Sequence, residues 1–361
     1  MTDHDRSYPS PEPLRIGSAI IQAGETKDVR LKISETYTGD EIAMPIRVIR
    51  SQKPGPTIFI TAGVHGDELN GTGIIHDLEF DKPIELISGS LLLIPVVNVL
   101  GFEQQQRYLP DRRDLNRSFP GASTGSLTSR VASTIMREVV SHCHYGIDLH
   151  TAASYRTNFP NIRGDLSLPE VKRLATAFGT ELIVDGKGPV GSLRREACKK
   201  GCATIILEAG EPFKLEPSIL KTGVQGIQNI LVELGMLSGT VIRPPFQVRV
   251  RKTKWIRAEV GGIIRFHVNL GDLVEEGQPV ATNFSILGRQ QNFICSPADG
   301  IVLGLTTMPA IKPGEPICHL APISKKMKSI RRAIEGLSPK HLHQQVRDDL
   351  ATNITNVEPT E

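Results

Sequence analysis

Cysteine is scarce in this chain: 361 residues carry five, at positions 143, 198, 202, 295 and 318. The count is odd and the positions scattered, so the expectation is reduced thiols in a cytoplasmic protein, not a disulfide framework. An excess of charge is missing too. Lys and Arg number 42 against 39 Asp and Glu, and the net charge of +3 gives no broad basic field for nucleic acid or a membrane surface. No apolar run approaches the ~20 residues that a membrane-spanning helix needs. The polar start, Met1-Thr-Asp-His-Asp-Arg6, lacks the apolar core of a secretory signal. No Ser or Cys nucleophile motif is evident. What remains is ordinary globular composition, 39% hydrophobic and 22% charged, in a chain long enough for a large core and two domains.

Residues 1–13 hold three prolines and read as a loose arm. Residues 14–50 alternate in polarity, as strands leading into a main sheet do. Apolar runs at 57–62, 90–97, 145–149 and 203–207 read as buried strands, and 68–78, 126–141, 167–178 and 216–237 read as helices. This order predicts an α/β domain with a mostly parallel mixed sheet flanked by helices. Ligands of such sheets sit beyond the carboxyl ends of the strands. After Val241-Ile-Arg-Pro-Pro245 the pattern changes. Residues 246–322 are rich in Gly and Val, and 262–264 with 276–280 faintly repeats as 300–302 with 313–317. Two similar β units suggest a small all-β barrel. The expected organisation is an arm and strands over 1–44, an α/β domain over 45–240, the barrel over 246–322 and a polar tail over 323–361. In the tail, the basic run 325–332 reads as a solvated helix face, and 341–350 as a short helix.

Chemistry concentrates at the strand ends. His65-Gly-Asp-Glu68 follows the first central strand, and imidazole plus carboxylate is the donor type that a catalytic zinc uses. His150 closes the strand that begins at Tyr145 and would supply a third ligand. Asp148, two residues before it, faces the same side. Glu208 directly follows the 203–207 strand, where a carboxylate can serve as general base. The loop from Arg107 to Arg117 is dense in guanidinium groups, which suit a substrate carboxylate and a developing oxyanion. Singly, His150 is more often a hydrogen-bonded core histidine, Glu208 reads as a helix-start carboxylate and the loop as plain surface. Their joint placement in one α/β domain is the signal. A rival cluster, His142-Cys143-His144, falls where a helix gives way to a strand and points its side chains apart.

Thr61-Ala-Gly-Val-His-Gly-Asp-Glu68, Arg107-Tyr108, Asp114-Leu-Asn-Arg117, Asp148-Leu-His150 and Leu207-Glu-Ala209 together resemble the succinylglutamate desuccinylase/aspartoacylase family, within the zinc carboxypeptidase superfamily. The resemblance spans about residues 45–237, with the motifs in the family's order. It implies one zinc held by His65, Glu68 and His150, with Asp114 hydrogen-bonded to a zinc histidine. Glu208 would be the base that moves a proton from the attacking water to the leaving amine. Arg107 would polarise the scissile carbonyl, Asn116 and Arg117 would bind a substrate carboxylate, and Arg194 would anchor a second anionic group. The run Leu109-Pro-Asp-Arg-Arg113 resembles a bacterial branch with unassigned substrates, so residues specific for aspartate or succinylglutamate are not carried over. Residues 261–277 resemble the biotinyl/lipoyl type of β-barrel, yet 284–293 contains no lysine to modify, which favours a lid, packing or assembly role.

Three functions remain to be distinguished. A zinc amidohydrolase would act on a small N-acyl substrate bearing a carboxylate, with no nucleic-acid or membrane partner and a homo-oligomeric state left open. A metallocarboxypeptidase cutting a C-terminal or isopeptide-linked residue would use the same chemistry in a more open groove. A non-catalytic binding protein would have no need of a base at Glu208.

Overall fold

The computed structural model describes residues 12–80, 84–288, 291–323, 327–338 and 340–351, so most of the expected N-terminal arm lies outside the described residues. A small hairpin, β1 (Leu14–Ile16) and β2 (Ala19–Ile21), precedes a long one, β3 (Thr26–Glu35) and β4 (Glu41–Arg50). On β3, Val29, Leu31 and Ile33 are buried while Asp28, Arg30 and Lys32 stay outside, the two-residue period of a half-covered strand. Then follow β5 (Thr57–Thr61), α1 (Asn70–Phe80), β6 (Ser90–Ile94), α2 (Val99–Glu103), α3 (Leu127–Glu138) and β7 (Tyr145–His150). Next come β8 (Arg156–Gly164), α4 (Pro169–Phe178), β9 (Leu182–Asp185), α5 (Leu193–Lys199), β10 (Ala203–Gly210) and α6 (Pro217–Glu233).

Among the described residues the main sheet has 13 strands, and its middle runs in the order β8-β10-β7-β5-β6-β4-β3. Both faces are covered. Ile58 and Ile60 of β5 point into a core shared with α1, α4 and α6, and Phe59 between them points into a second core shared with α3 and α5. The sheet is mixed, as expected from the sequence, with parallel pairing in the central four strands and also of β9 with β8 and with the strand at Val248–Val250. β6, β5, β7 and β10 are mutually parallel, but β4 runs antiparallel to β6, β3 to β4, and β8 to β10. Parallel neighbours need a long crossover, and the flanks are supplied instead by a hairpin and by returning strands.

The C-terminal strands correct the expected barrel. They are β11 (Val248–Val250), β12 (Lys254–Arg257), β13 (Gly262–Phe266), β14 (Leu273–Val274), β15 (Pro279–Phe284), β16 (Gln291–Cys295), β17 (Gly300–Thr306), β18 (Ala310–Ile311) and β19 (Pro316–Pro322). Four of them form an open antiparallel sheet in the order β16-β15-β13-β18. The pairing of Gly304, Leu305 and Thr306 with Asn158, Thr157 and Arg156 carries β17, and with it β19, β12 and β14, into the main sheet. Continuing an existing sheet satisfies backbone groups that a separate closed barrel would have had to pair internally. Two helices follow, α7 (Met327–Glu335) and α8 (Leu342–Ala351). On α7, Ile330 is buried while Arg331 and Arg332 are exposed, as a solvated basic face requires. α8 is anchored to the α/β region by His343, whose Nδ1 lies 2.7 Å from Glu181 Oε2, and by Asp349, which accepts a hydrogen bond from the Ser218 backbone N–H at 3.1 Å.

The strand that ends at His150 contains one close approach. A Cβ on Gly146 would lie 2.2 Å from Cζ of Phe59, a ring with no exposed surface. Gly146→Ala gains about 0.5–1 kcal/mol in backbone entropy, but displacing a sealed ring costs about 1–3 kcal/mol. The expected net result is a lower melting temperature, partly recovered when Phe59→Leu is added. Thermal melts of the single and double variants check this, and a melting temperature at or above wild type for Gly146→Ala would contradict it.

Candidate metal centre and active site

β5 delivers the chain to a turn, 62–69, that carries His65 and Glu68 before α1 begins at Asn70. The helix was expected to start at Glu68; the turn takes those residues instead. Gly66 packs against the backbone of α2, where a Cβ would sit 2.1 Å from the Gly101 carbonyl carbon, so no other residue fits between His65 and Asp67. In this turn His65 Nδ1 lies 2.7 Å from Glu68 Oε1. From the end of β7, the neighbour of β5, His150 Nδ1 lies 2.8 Å from Glu68 Oε2. One donor atom from each of His65, Glu68 and His150 falls within 4.8 Å of the others, the only such group of three or more among the described residues. All three are buried. His144, of the rival cluster, instead accepts the Thr57 backbone N–H at Nδ1, 3.0 Å away.

The far nitrogen of each imidazole is also engaged. His65 Nε2 lies 3.1 Å from Asp114 Oδ1, and His150 Nε2 lies 2.7 Å from Asp148 Oδ2. Asp148 is held in turn by the Thr61 hydroxyl at 2.8 Å. Glu68 also accepts from the Thr151 backbone N–H at 3.1 Å and from Arg107 Nη1 at 2.8 Å. The electrostatics follow from these contacts. Burial alone would raise the Glu68 carboxyl, but the two histidines and their hydrogen bonds overcome it and hold Glu68 well below the ordinary range. Burial likewise opposes charge on His150, yet Asp148 and Glu68 raise its pKa well above the usual value. Asp67, between the two motif residues, is pushed up by burial and then by Glu68.

A donor set of two Nδ1 atoms and a carboxylate, each imidazole backed by a second carboxylate, fits a divalent metal. Backing of this kind fixes the tautomer and ring orientation of a ligating histidine.

Glu208 stands beside this group. β10 pairs with β7 in parallel register, with Glu208 directly opposite His150. On its other side β8 contributes Asn158, whose Nδ2 donates to Glu208 Oε2 at 3.2 Å, and Arg163, whose Nη1 lies 3.6 Å from Oε1. A register shift between Glu208 and Gly210 in the β8 pairing brings Asn158 within reach. Asn116 is buried. Its Oδ1 accepts the Leu193 backbone N–H at 2.9 Å, and its Nδ2 stands 3.5 Å from His150 Nε2. Arg117 is exposed and donates to the Asn116 carbonyl at 2.8 Å. Arg194 is buried on α5 with Nε and Nη1 unpartnered, whereas the adjacent Arg195 donates to the Gly188 carbonyl at 3.1 Å.

Direct hydrogen bonds thus join His65, Glu68, His150, Asp114, Arg107 and Asn116, while Glu208 joins by strand pairing and Arg194 bonds to none of them. The sequence reading missed Asn158, Arg163 and Thr151, and gave Thr61 no role of its own within the motif. The β8 segment gave no strand signal because Pro160 interrupts it and its polar residues do not keep a clean two-residue period.

Asp114 supplies a test of the metal-free network. Burial raises its carboxyl, but the His65 hydrogen bond and charge, then Arg107 and Arg117, bring it to about 2 from the ordinary 3.8. A pKa depressed by folding stabilises fully above the unfolded value and loses that contribution as pH falls through the folded one. The urea midpoint of the metal-free protein should therefore exceed that of Asp114→Asn by its full margin near pH 5–6, and the gap should close below about pH 4. A gap that widened on acidification would contradict this electrostatic role.

Comparison with known proteins places this geometry. Residues 54–234 match the model of the succinylglutamate desuccinylase/aspartoacylase catalytic domain. An N-α-acetyl-L-2,4-diaminobutyric acid deacetylase of Halomonas elongata is 27% identical over 257 residues, covering 66% of this chain and 73% of that one. The product-bound structure of the ectoine utilization protein EutE (DoeB) from Ruegeria pomeroyi aligns with a TM-score of 0.76 at 21% identity, over 87% of this chain and 99% of the other. A succinylglutamate desuccinylase/aspartoacylase structure from Rhodobacter sphaeroides aligns at 0.72 with 24% identity, over 83% and 95%. The structural likenesses show a shared fold that extends past the matched domain. By the match to half of its length, the chain belongs to the succinylglutamate desuccinylase/aspartoacylase family.

Proposed function

We propose that the protein is a zinc-dependent hydrolase that cleaves the amide bond of an N-acyl amino acid or a related small carboxylate-bearing amide. The observation that carries this is the convergence of His65 Nδ1, His150 Nδ1 and the Glu68 carboxylate, with Glu208 opposite His150 on the next strand. Two nitrogens and an oxygen are a zinc donor set that leaves a position open. The Halomonas relative, named as a deacetylase, supports the same bond class. The three donors are at most 5% exposed, and so recessed a group suits a small amide better than a polypeptide threaded through an open groove.

Zinc, when bound by His65, Glu68 and His150, supplies a Lewis acid that acidifies water and polarises a carbonyl. The chain's own groups do the rest. Glu208, steadied by Asn158 and Arg163, takes the proton of the attacking water and passes it to the leaving amine nitrogen. Arg107, with one arm on Glu68, faces the carbonyl oxygen as it gains charge. Arg117 pairs with the free carboxylate of the substrate, and Asn116, its oxygen already committed to Leu193, offers its amide nitrogen there. Asp114 and Asp148 keep the histidines oriented. Arg194 is a second anionic anchor. Residues 246–322 serve as a wall and carry no prosthetic group, since 284–293 holds no lysine.

Metal analysis tests the core of this reading. The purified protein should hold about one zinc per chain, the number a single closed donor set supports, and a folded His65→Ala/His150→Ala variant should hold almost none. Undiminished zinc in that variant would place the metal elsewhere. Glu208→Gln preserves shape while removing the basic carboxylate. Its turnover should fall by about two to four orders of magnitude with zinc content retained, and activity within a few-fold of wild type would move the base to another residue. Arg117→Lys keeps charge but loses the planar fork. It should weaken binding of carboxylate substrates and leave an amidated analogue little affected; equal losses on both compounds would show that Arg117 does not read the carboxylate.

A further inference from the structure

On the side of the main sheet that holds α4 and α6, the start of α8 closes a cavity of about 300 Å³. Its walls come from β8, the turn after α4, one side of α6, residues 242–245 and α8 itself. Phe159, Pro160, Ile242, Pro244, Pro245 and Val346 make the lining largely apolar. The volume suits one small molecule.

The polar groups of this cavity fall at two ends. The deep one is His343, 4% exposed, with Nδ1 at 2.7 and 2.8 Å from the two carboxylate oxygens of Glu181. A carboxylate accepts, so Nδ1 carries the hydrogen and Nε2 must find a partner elsewhere. It has none. Nε2 is buried without a hydrogen bond, and the rings of Phe159 and Phe246 flank the imidazole, with centroids 5.7 and 6.2 Å away. Asp272, another acid near His343, is taken by Arg347. An idle buried nitrogen weakens a fold unless something reaches it. The outer end is positive. Arg243 and Lys340 are exposed and form no ion pair among the described residues, while Glu181, the one acid of the lining, is already taken by His343.

We propose that the cavity is a binding site, separate from the metal centre, for a small carboxylate that has an apolar body and a hydroxyl at its far end. The hydroxyl meets His343 Nε2, the body lies along Phe159 and Pro160, and the carboxylate meets Arg243 and Lys340. A hydroxyl suits the ring nitrogen in either protonation state, since it both donates and accepts. The site also has a route to the base. Phe159 and Pro160 lie between Asn158, which donates to the Glu208 carboxylate at 3.2 Å, and Asn161, which donates to the Glu208 carbonyl at 3.1 Å. A ligand against them acts on the segment that steadies Glu208, so occupancy changes turnover. This last link rests on the amidohydrolase reading; the binding site does not.

Calorimetric titration of the zinc-loaded protein with 4-hydroxyphenylacetate tests the site, with phenylacetate and 4-hydroxyphenylacetamide as controls. The probe should bind with a Kd below about 1 mM. The amide should bind about ten-fold more weakly, having lost the charge-assisted contact, and phenylacetate several-fold more weakly. Arg243→Gln/Lys340→Gln, on the exposed rim, should weaken the probe as much as amidation does and leave the amide unaffected. The zinc-free His65→Ala/His150→Ala variant should bind the probe as wild type does. No binding, or binding indifferent to the Arg243 and Lys340 changes, overturns the site; binding lost with the zinc does so too, by placing the probe at the metal. In assays on N-acetyl amino acids the probe should shift kcat several-fold with KM little changed. Purely competitive inhibition overturns the separate site, and an unaltered kcat at saturation overturns the link to Glu208. Hydrolysis of none of these substrates counts against the amidohydrolase reading instead, and calorimetry still decides the site.

Discussion

A carboxylate as deeply enclosed as Glu68 cannot remain ionised without partners, and the partners it has come from four places in the chain. His65 reaches it from the same turn, His150 from the end of β7, the Thr151 N–H from the loop that follows, and Arg107 from the loop after α2. These arrive together only because β5 and β7 lie side by side in parallel, with Thr61 opposite Asp148. The same register lets Thr61 hold Asp148, which holds His150. Sheet pairing and site geometry are therefore one arrangement. Removing the Glu68 carboxylate would strand the half-buried Arg107 guanidinium and two buried, polarised imidazoles, the costly way to break an enclosed ionic group.

The parts of this arrangement that were legible in the sequence are those fixed by local patterning. Apolar runs marked β5, β7 and β10, and the residues just past each run are His65, Glu68, His150 and Glu208. The two-residue period of a strand put Asp148 and His150 on one side, and they meet at 2.7 Å. What was not legible depends on partners far away in the chain. Composition showed that residues 246–322 are β-structured but not that β17 would choose β8 as its neighbour. The hairpin at one flank and the returning β8 at the other decided the strand directions that composition could not.

Adjacent arginines show the same limit on a finer scale. Nothing in Leu193-Arg-Arg195 says which guanidinium turns inward, since neighbours on a helix point about 100° apart. Packing of α5 against β10 selects Arg194 for burial and leaves Arg195 to a loop carbonyl. Arg163 was invisible for a related reason. A strand interrupted by proline and mixed in polarity announces neither its existence nor the face it gives to Glu208.

The seam between β8 and β17 also sets an order on the life of the chain. The pairing of β5, β6, β7 and β10 needs nothing beyond residue 210 and can form while later residues are still being made. Arg156, Thr157 and Asn158 must wait for residues 304–306 to emerge from the ribosome. Until then β8 presents an unpaired edge, the kind of template that recruits foreign strands. Closing so long an intervening loop is slow by the usual topology argument. The loop after His150 is clamped in the same step, because the Thr306 hydroxyl and the Thr307 N–H both donate to the Tyr155 carbonyl. A nascent chain can thus bring His65, Glu68 and His150 together early, yet the Tyr155 loop is clamped only when translation has passed residue 307, a stage at which chaperone protection of one short edge would matter most.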